Sequence, residues 1–175
     1  MKIFANLVEM LKLRTYILLF LSIQFVAVAN RLQDDDYARV MAMVISQIKH
    51  SHTKLQIGIV CRDELRAKNF QRIFKKNAKI SSAGKKISFD MIWEKNPLKS
   101  KSNILIQLDS NISLPKQIFS IATSKKMVLD GACLGIVLKN TSPTIIANRD
   151  SLLNSRTHFD STFLRFINIL KRRKQ

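Results

Sequence analysis

Apolar side chains recur at Tyr37, Val40, Met41, Val44, Ile45 and Ile48. They fall at i, i+3, i+4, i+7, i+8 and i+11, so one helix buries one stripe. Asp34, Asp35 and Asp36 precede it, where carboxylates favour the positive end of a helix dipole. Lys49 and His50 suit its other end. The next apolar run, Leu55 to Cys61 (LQIGIVC), lacks that period. Leu, Ile, Ile and Val without clean alternation suit a strand buried on both faces. Ile104 to Leu108 (ILIQL) and Met127 to Leu129 (MVL) repeat the pattern and predict two further strands.

The intervening segments predict the rest. Asp63 caps a helix over Glu64 to Asn77, with Leu65, Phe70, Ile73 and Phe74 inward and Arg66, Lys68, Arg72, Lys75 and Lys76 outward. Ala83-Gly84 marks a turn. Ile87, Phe89, Met91 and Trp93 lie at alternate positions and predict a strand, which Asn96-Pro97 breaks. Ser113 and Pro115 start a short helix over Lys116 to Thr123. Asp130-Gly131 turns out of the MVL strand. Cys133 to Lys139 and Thr144 to Arg149 form a hairpin about Asn140-Thr141-Ser142-Pro143. Asp150 caps a short helix to Ser155. Asp160 or Ser161 caps a last helix that buries Phe163, Phe166, Ile167 and Leu170. Together these predict a single α/β domain over residues 30–175, a layered mixed sheet of about five strands flanked by helices.

The N-terminus changes the setting. Lys12 and Arg14 precede an apolar run, TYILLFLSIQFVAVA, that ends in Ala27-Val28-Ala29. That order of basic, apolar and small-residue regions predicts a signal peptide over residues 1–29, cut after Ala29. The run contains Gln24 and falls short of the roughly 20 residues a membrane span needs. Met10 to Arg14 suffices as its basic region, so Met1 to Glu9 adds nothing export requires.

Charge matters in that light. The 175-residue chain has 30 Lys and Arg against 12 Asp and Glu. Nine basic and two acidic residues lie between Arg62 and Lys86, and Lys171-Arg172-Arg173-Lys174 nearly closes the chain. Surplus cations either coat solvated faces or meet an anionic partner. An exported protein meets little nucleic acid, so none is expected as a partner. Anionic membrane surfaces and envelope proteins come first.

Chemistry-bearing residues are sparse. His50 and His52 lack an evident third ligand, so no metal site is expected. Neither a P-loop nor a dinucleotide fingerprint follows the first strand, and no cofactor is expected. Cys61 with a histidine is the minimal nucleophile pair, and a small exported hydrolase is the least favoured reading. Export permits oxidation, so Cys61 and Cys133, each at a strand end, either pair as a disulfide or stay as separate buried thiols.

The order of segments resembles a known family. Leu55 to Cys61, Ile104 to Leu108 and above all Gly135 to Leu170 are similar to the YfiR-like periplasmic proteins. Ile145-Ile146-Ala147-Asn148 looks like that family's Ile-Asn strand end; Phe163-Leu164 and Ile169-Leu170 sit where it has its closing Leu-rich helix. His50-Ser51-His52 stands where many members carry an aromatic-Trp-Pro motif, and the two cysteines do not match the four of disulfide-bearing members. The resemblance implies an exported, non-enzymatic regulator, often dimeric. Such a protein binds and inhibits the periplasmic part of an inner-membrane signalling protein, such as a diguanylate cyclase. The expected partner surfaces are the first helix, at Tyr37, Met41 and Ile48, and the hairpin with its following helix, at Asn148, Ser151 and Leu152. The alternative is a cationic module that docks on anionic lipid or cell-wall polymer.

Overall fold

Five parallel strands run from one edge of the sheet inward, and two more complete it at the other edge. In the computed structural model, residues 33–49, 54–82, 85–139 and 142–170 are described. The expected signal peptide with Ala27 and Ala29, His50 and His52, the expected turn at Ala83-Gly84 and the basic C-terminal run lie outside them. The strands are β1 (Lys54–Val60), β2 (Ser81–Ser82), β3 (Lys85–Lys86), β4 (Ser88–Trp93), β5 (Ile104–Gln107), β6 (Phe119–Ala122), β7 (Leu134–Lys139), β8 (Ser142–Asn148) and β9 (Ile167–Leu170). The helices are α1 (Asp34–Ser46), α2 (Glu64–Asn77), α3 (Lys125–Leu129), α4 (Arg149–Asn154) and α5 (Ser161–Leu164). β2 and β3 pair as a separate two-stranded ribbon. The main sheet is mixed and has seven strands, not about five, in the order β4-β1-β5-β6-β7-β8-β9. β8 runs antiparallel to β7, and β9 parallel to β8.

The strand β1 supplies the frame. Its register puts Leu55, Ile57 and Ile59 beside Phe89, Met91 and Trp93 of β4. These six side chains share the face covered by α1 and α2, where Met41, Ile45, Phe70 and Phe74 are fully buried. The opposite face is thinner. α3 covers part of it with Met127 and Val128, packed with Ala122 and Ile146. Over β1, that face is covered by the connection from β4 to β5, with Glu94 and Ser102 lying on Gly58. Glu94 accepts hydrogen bonds from the hydroxyls of Ser100 and Ser102.

Several expectations hold. α2 begins where Asp63 caps it, with the Leu65 N–H donating to the Asp63 carboxylate at 2.8 Å. β4 alternates as the spacing predicts. The hairpin forms, with Lys139 opposite Ser142 and Pro143 inside β8.

Other expectations are overturned. Lys116 to Thr123 is not a helix: Phe119–Ala122 is β6, buried on both faces between β5 and β7. Met127 to Leu129 is not a strand but the body of α3, whose Met127 N–H donates to the Ser124 hydroxyl at 3.3 Å. A run of three apolar residues cannot distinguish the two, and the cap decides. α1 stops at Ser46, and Ile48 instead bridges to Phe159. Asn148, not Asp150, caps α4. The closing helix is a single turn, α5, after which Ile167–Leu170 turn into strand β9. Leu65 is 76% exposed, and Ala67 takes its place against the core.

Candidate functional site

The strand order reverses between β1 and β5. The chain leaves β1 over the α2 face to reach β4, then returns over the other face to β5. In open α/β sheets, ligands bind in the crevice at the carboxyl ends of the two strands that flank such a switch. Here that position is held by the protein's own groups. Asp109, just past β5, accepts hydrogen bonds from the Cys61 thiol at 3.2 Å and the Arg62 N–H at 2.8 Å. Its second oxygen pairs with the Arg66 guanidinium. The Trp93 indole donates to the Cys61 carbonyl at 2.9 Å.

The electrostatics follow from that packing. Burial works to push the Asp109 carboxyl up. The Arg62 N–H, the Cys61 thiol and the charges of Arg66 and Arg62 outweigh it and hold the carboxyl below its usual range. Burial, then the bond to Asp109, push the Cys61 thiol up. An activated nucleophile needs the reverse, and the partner of Cys61 is a carboxylate, not an imidazole. The network therefore closes the crevice and ties β1, β5 and α2 together.

This makes a pH prediction. Asp109→Asn removes the charge-assisted bonds and should cost about 1–3 kcal/mol near neutral pH. Because the folded carboxyl titrates below its unfolded value, its contribution is complete above the ordinary carboxylate range. It is lost as pH falls through the folded value. Urea unfolding of both proteins at about pH 7 and about pH 3 should show the gap shrinking in acid. A gap that does not change with pH contradicts the assignment.

The two cysteines stay apart. Both are free and buried. β5 and β6 lie between β1 and β7, so the strand ends that carry Cys61 and Cys133 are three strand spacings apart. At about 4.8 Å per spacing, that exceeds the roughly 7 Å Cα limit of a disulfide. The Cys133 thiol donates instead to the Ser151 carbonyl at 3.4 Å, and burial pushes it up.

The expected partner surfaces are mostly interior. Met41 is fully buried and Ile48 nearly so. Tyr37 is half-buried, and its hydroxyl donates to the Thr123 carbonyl at 3.1 Å. Asn148 holds α4 through the Ser151 N–H at 3.2 Å and donates its amide to Val128 at 2.9 Å. Leu152 packs against the core. A stripe that faces the core and one that faces a partner have the same period, so sequence could not separate them.

Part of the apolar surface left open lies around β9, while Leu65, Ile92 and Leu98 are exposed elsewhere. Phe166 is 71% exposed and Ile169 61%. Met43, Leu129 and Leu164 are exposed nearby in sequence or in space. Met43 and Phe166 line a groove of about 500 Å³ beside the start of β9. Leu129, Arg149 and Ile169 line another of about 540 Å³ beside its end. The helical spacing of Phe163, Phe166, Ile167 and Leu170 hid this surface, because it sets Phe166 on a buried stripe. A second surface is charged: Arg66, Lys68, Arg72, Lys75 and Lys76 are all exposed along α2.

Among the described residues, no helix is long and apolar enough to cross a membrane, and no group of three or more His, Cys, Asp or Glu could hold a metal ion. No protein-family model matches the chain, and no curated protein matches it.

Proposed function

We propose that this is an exported, YfiR-like regulatory binding protein that holds the periplasmic part of an inner-membrane signalling protein, such as a diguanylate cyclase, in a repressed state. One observation carries the reading: at one sheet edge Phe166 and Ile169 are exposed and each borders a groove that a further exposed apolar residue, Met43 or Leu129, also lines. Exposed apolar patches bordered by polar residues are ordinary partner surfaces. The signal-peptide pattern at Ala27-Val28-Ala29 and the segment resemblance from Gly135 to Leu170 supply the compartment and the kind of partner. The expected surface moves from the core stripe of α1 to the β9 edge. Deleting the gene should raise cellular cyclic-di-GMP and biofilm formation, and re-expression should lower both. No change in either direction would remove the cyclase from the reading.

The exposed cations of α2 favour a second reading, a module that docks on anionic lipid or cell-wall polymer. The two part on site. Arg72→Glu, Lys75→Glu and Lys76→Glu together should abolish docking of anionic vesicles on that helix face and leave docking at β9 unchanged.

A further inference from the structure

We propose that β9 is an open strand slot: it accepts an extended, acidic-flanked segment of the partner as an added edge strand. The proposal deepens the reading above and rests on it.

The two outer edges of the sheet differ. At the β4 edge, Asp90 pairs with Lys54 at 2.7 Å, and charges on an edge discourage pairing. β9 reads Ile-Asn-Ile-Leu, without a charge, and is paired only with β8 among the described residues. An uncharged edge flanked by exposed apolar side chains is a template for strand addition. An added strand offers alternate side chains to the two faces of the sheet. The groove with Met43 and Phe166 lies beside the start of β9, and that with Leu129 and Ile169 beside its end. One extended segment alongside β9 reaches both, so backbone bonds would set its register and the grooves its side chains.

Charge selects the occupant. Arg149 and Asp150 line the groove at the end of β9. Arg165 precedes the strand, and the sequence continues past Leu170 as Lys-Arg-Arg-Lys. A second copy fits poorly. A parallel β9–β9 pair sets Arg165 beside Arg165, and in either direction a second copy brings the same surplus of cations to the edge. An apolar strand with Asp or Glu beside the end of β9 meets those cations with the opposite sign.

The test uses the mature exported chain and a fluorescent twelve-residue peptide: three acidic residues, then alternating Val and Thr. A counterpart carries three lysines instead. The acidic peptide should bind at least about tenfold more tightly than the lysine one. On binding, amide exchange should slow at Ile167–Leu170. Ile169→Asp, at an exposed position, should keep the melting temperature and lose at least about tenfold in affinity; Ile92→Asp at the β4 edge should lose little. Equal binding of the two peptides, no slowing at β9, or no saturation below about 1 mM would overturn the proposal. So would self-association that Ile169→Asp abolishes, which gives the edge to a second copy. So would binding to vesicles of one part phosphatidylglycerol to three parts phosphatidylcholine that Ile169→Asp weakens, which gives it to lipid. The two readings fail separately. If Ile169→Asp fully restores low cyclic-di-GMP in the deletion strain, the slot falls and the regulator stands. If the deletion leaves cyclic-di-GMP unchanged while the acidic peptide protects β9, the cyclase falls and the slot stands.

Discussion

Phe74→Ala should lower the unfolding free energy by about 3–5 kcal/mol, a large part of the roughly 5–15 kcal/mol that holds a domain of this size folded. Phe74 is fully buried. It stands edge-on to Phe89 with centroids 5.6 Å apart and lies 6.1 Å from Phe70. It thus joins α2 to β4 at the centre of the thicker layer. Alanine leaves a cavity that rigid strands on one side and α1 on the other cannot close. The internal control is Leu65→Ala on the same helix, at 76% exposure, which should stay within about 0.5 kcal/mol. Nine residues separate Leu65 from Phe74, or roughly two and a half turns, so they point in opposite directions. Urea midpoints for both variants decide it. Comparable losses would mean that α2 is rotated from the position described.

Gly58→Val should cost about 1–3 kcal/mol or more. On an open strand face the sign would be opposite, because valine favours strands and glycine does not. Gly58 is covered. A Cβ there would lie 2.6 Å from Glu94 Cγ, 2.7 Å from Leu105 Cδ2 and 2.9 Å from the Ser102 hydroxyl. Making room displaces Glu94, which holds the hydroxyls of Ser100 and Ser102, and so lifts the connection between β4 and β5. That connection covers this face of β1 at Gly58. A neutral or stabilising Gly58→Val, read as an unchanged or higher urea midpoint, would show that the connection does not rest there.

The elements legible in the sequence are those with two independent local cues. α2 has an apolar stripe and Asp63 as its cap. β4 has strict alternation and a proline stop. β1 and β5 have runs of branched apolar residues without clean alternation, which suit burial on both faces. Together these were enough for the α/β class. Three matters were settled only by the tertiary structure. Phe119–Ala122 became a strand and Met127–Leu129 a helix turn, the reverse of the local reading, because four or five residues have little propensity of their own. The slot between β5 and β7 selects the first, and Ser124 caps the second. Cys61 and Cys133 were separated by strand order, which no spacing along the chain encodes. Ile167–Leu170 became an edge strand because β8 offered it a hydrogen-bonding partner. A longer helix would have buried Phe166; the strand leaves Phe166 and Ile169 in solvent. The proposed partner edge therefore arises from a pairing between segments, and the sequence alone placed Phe166 in the core.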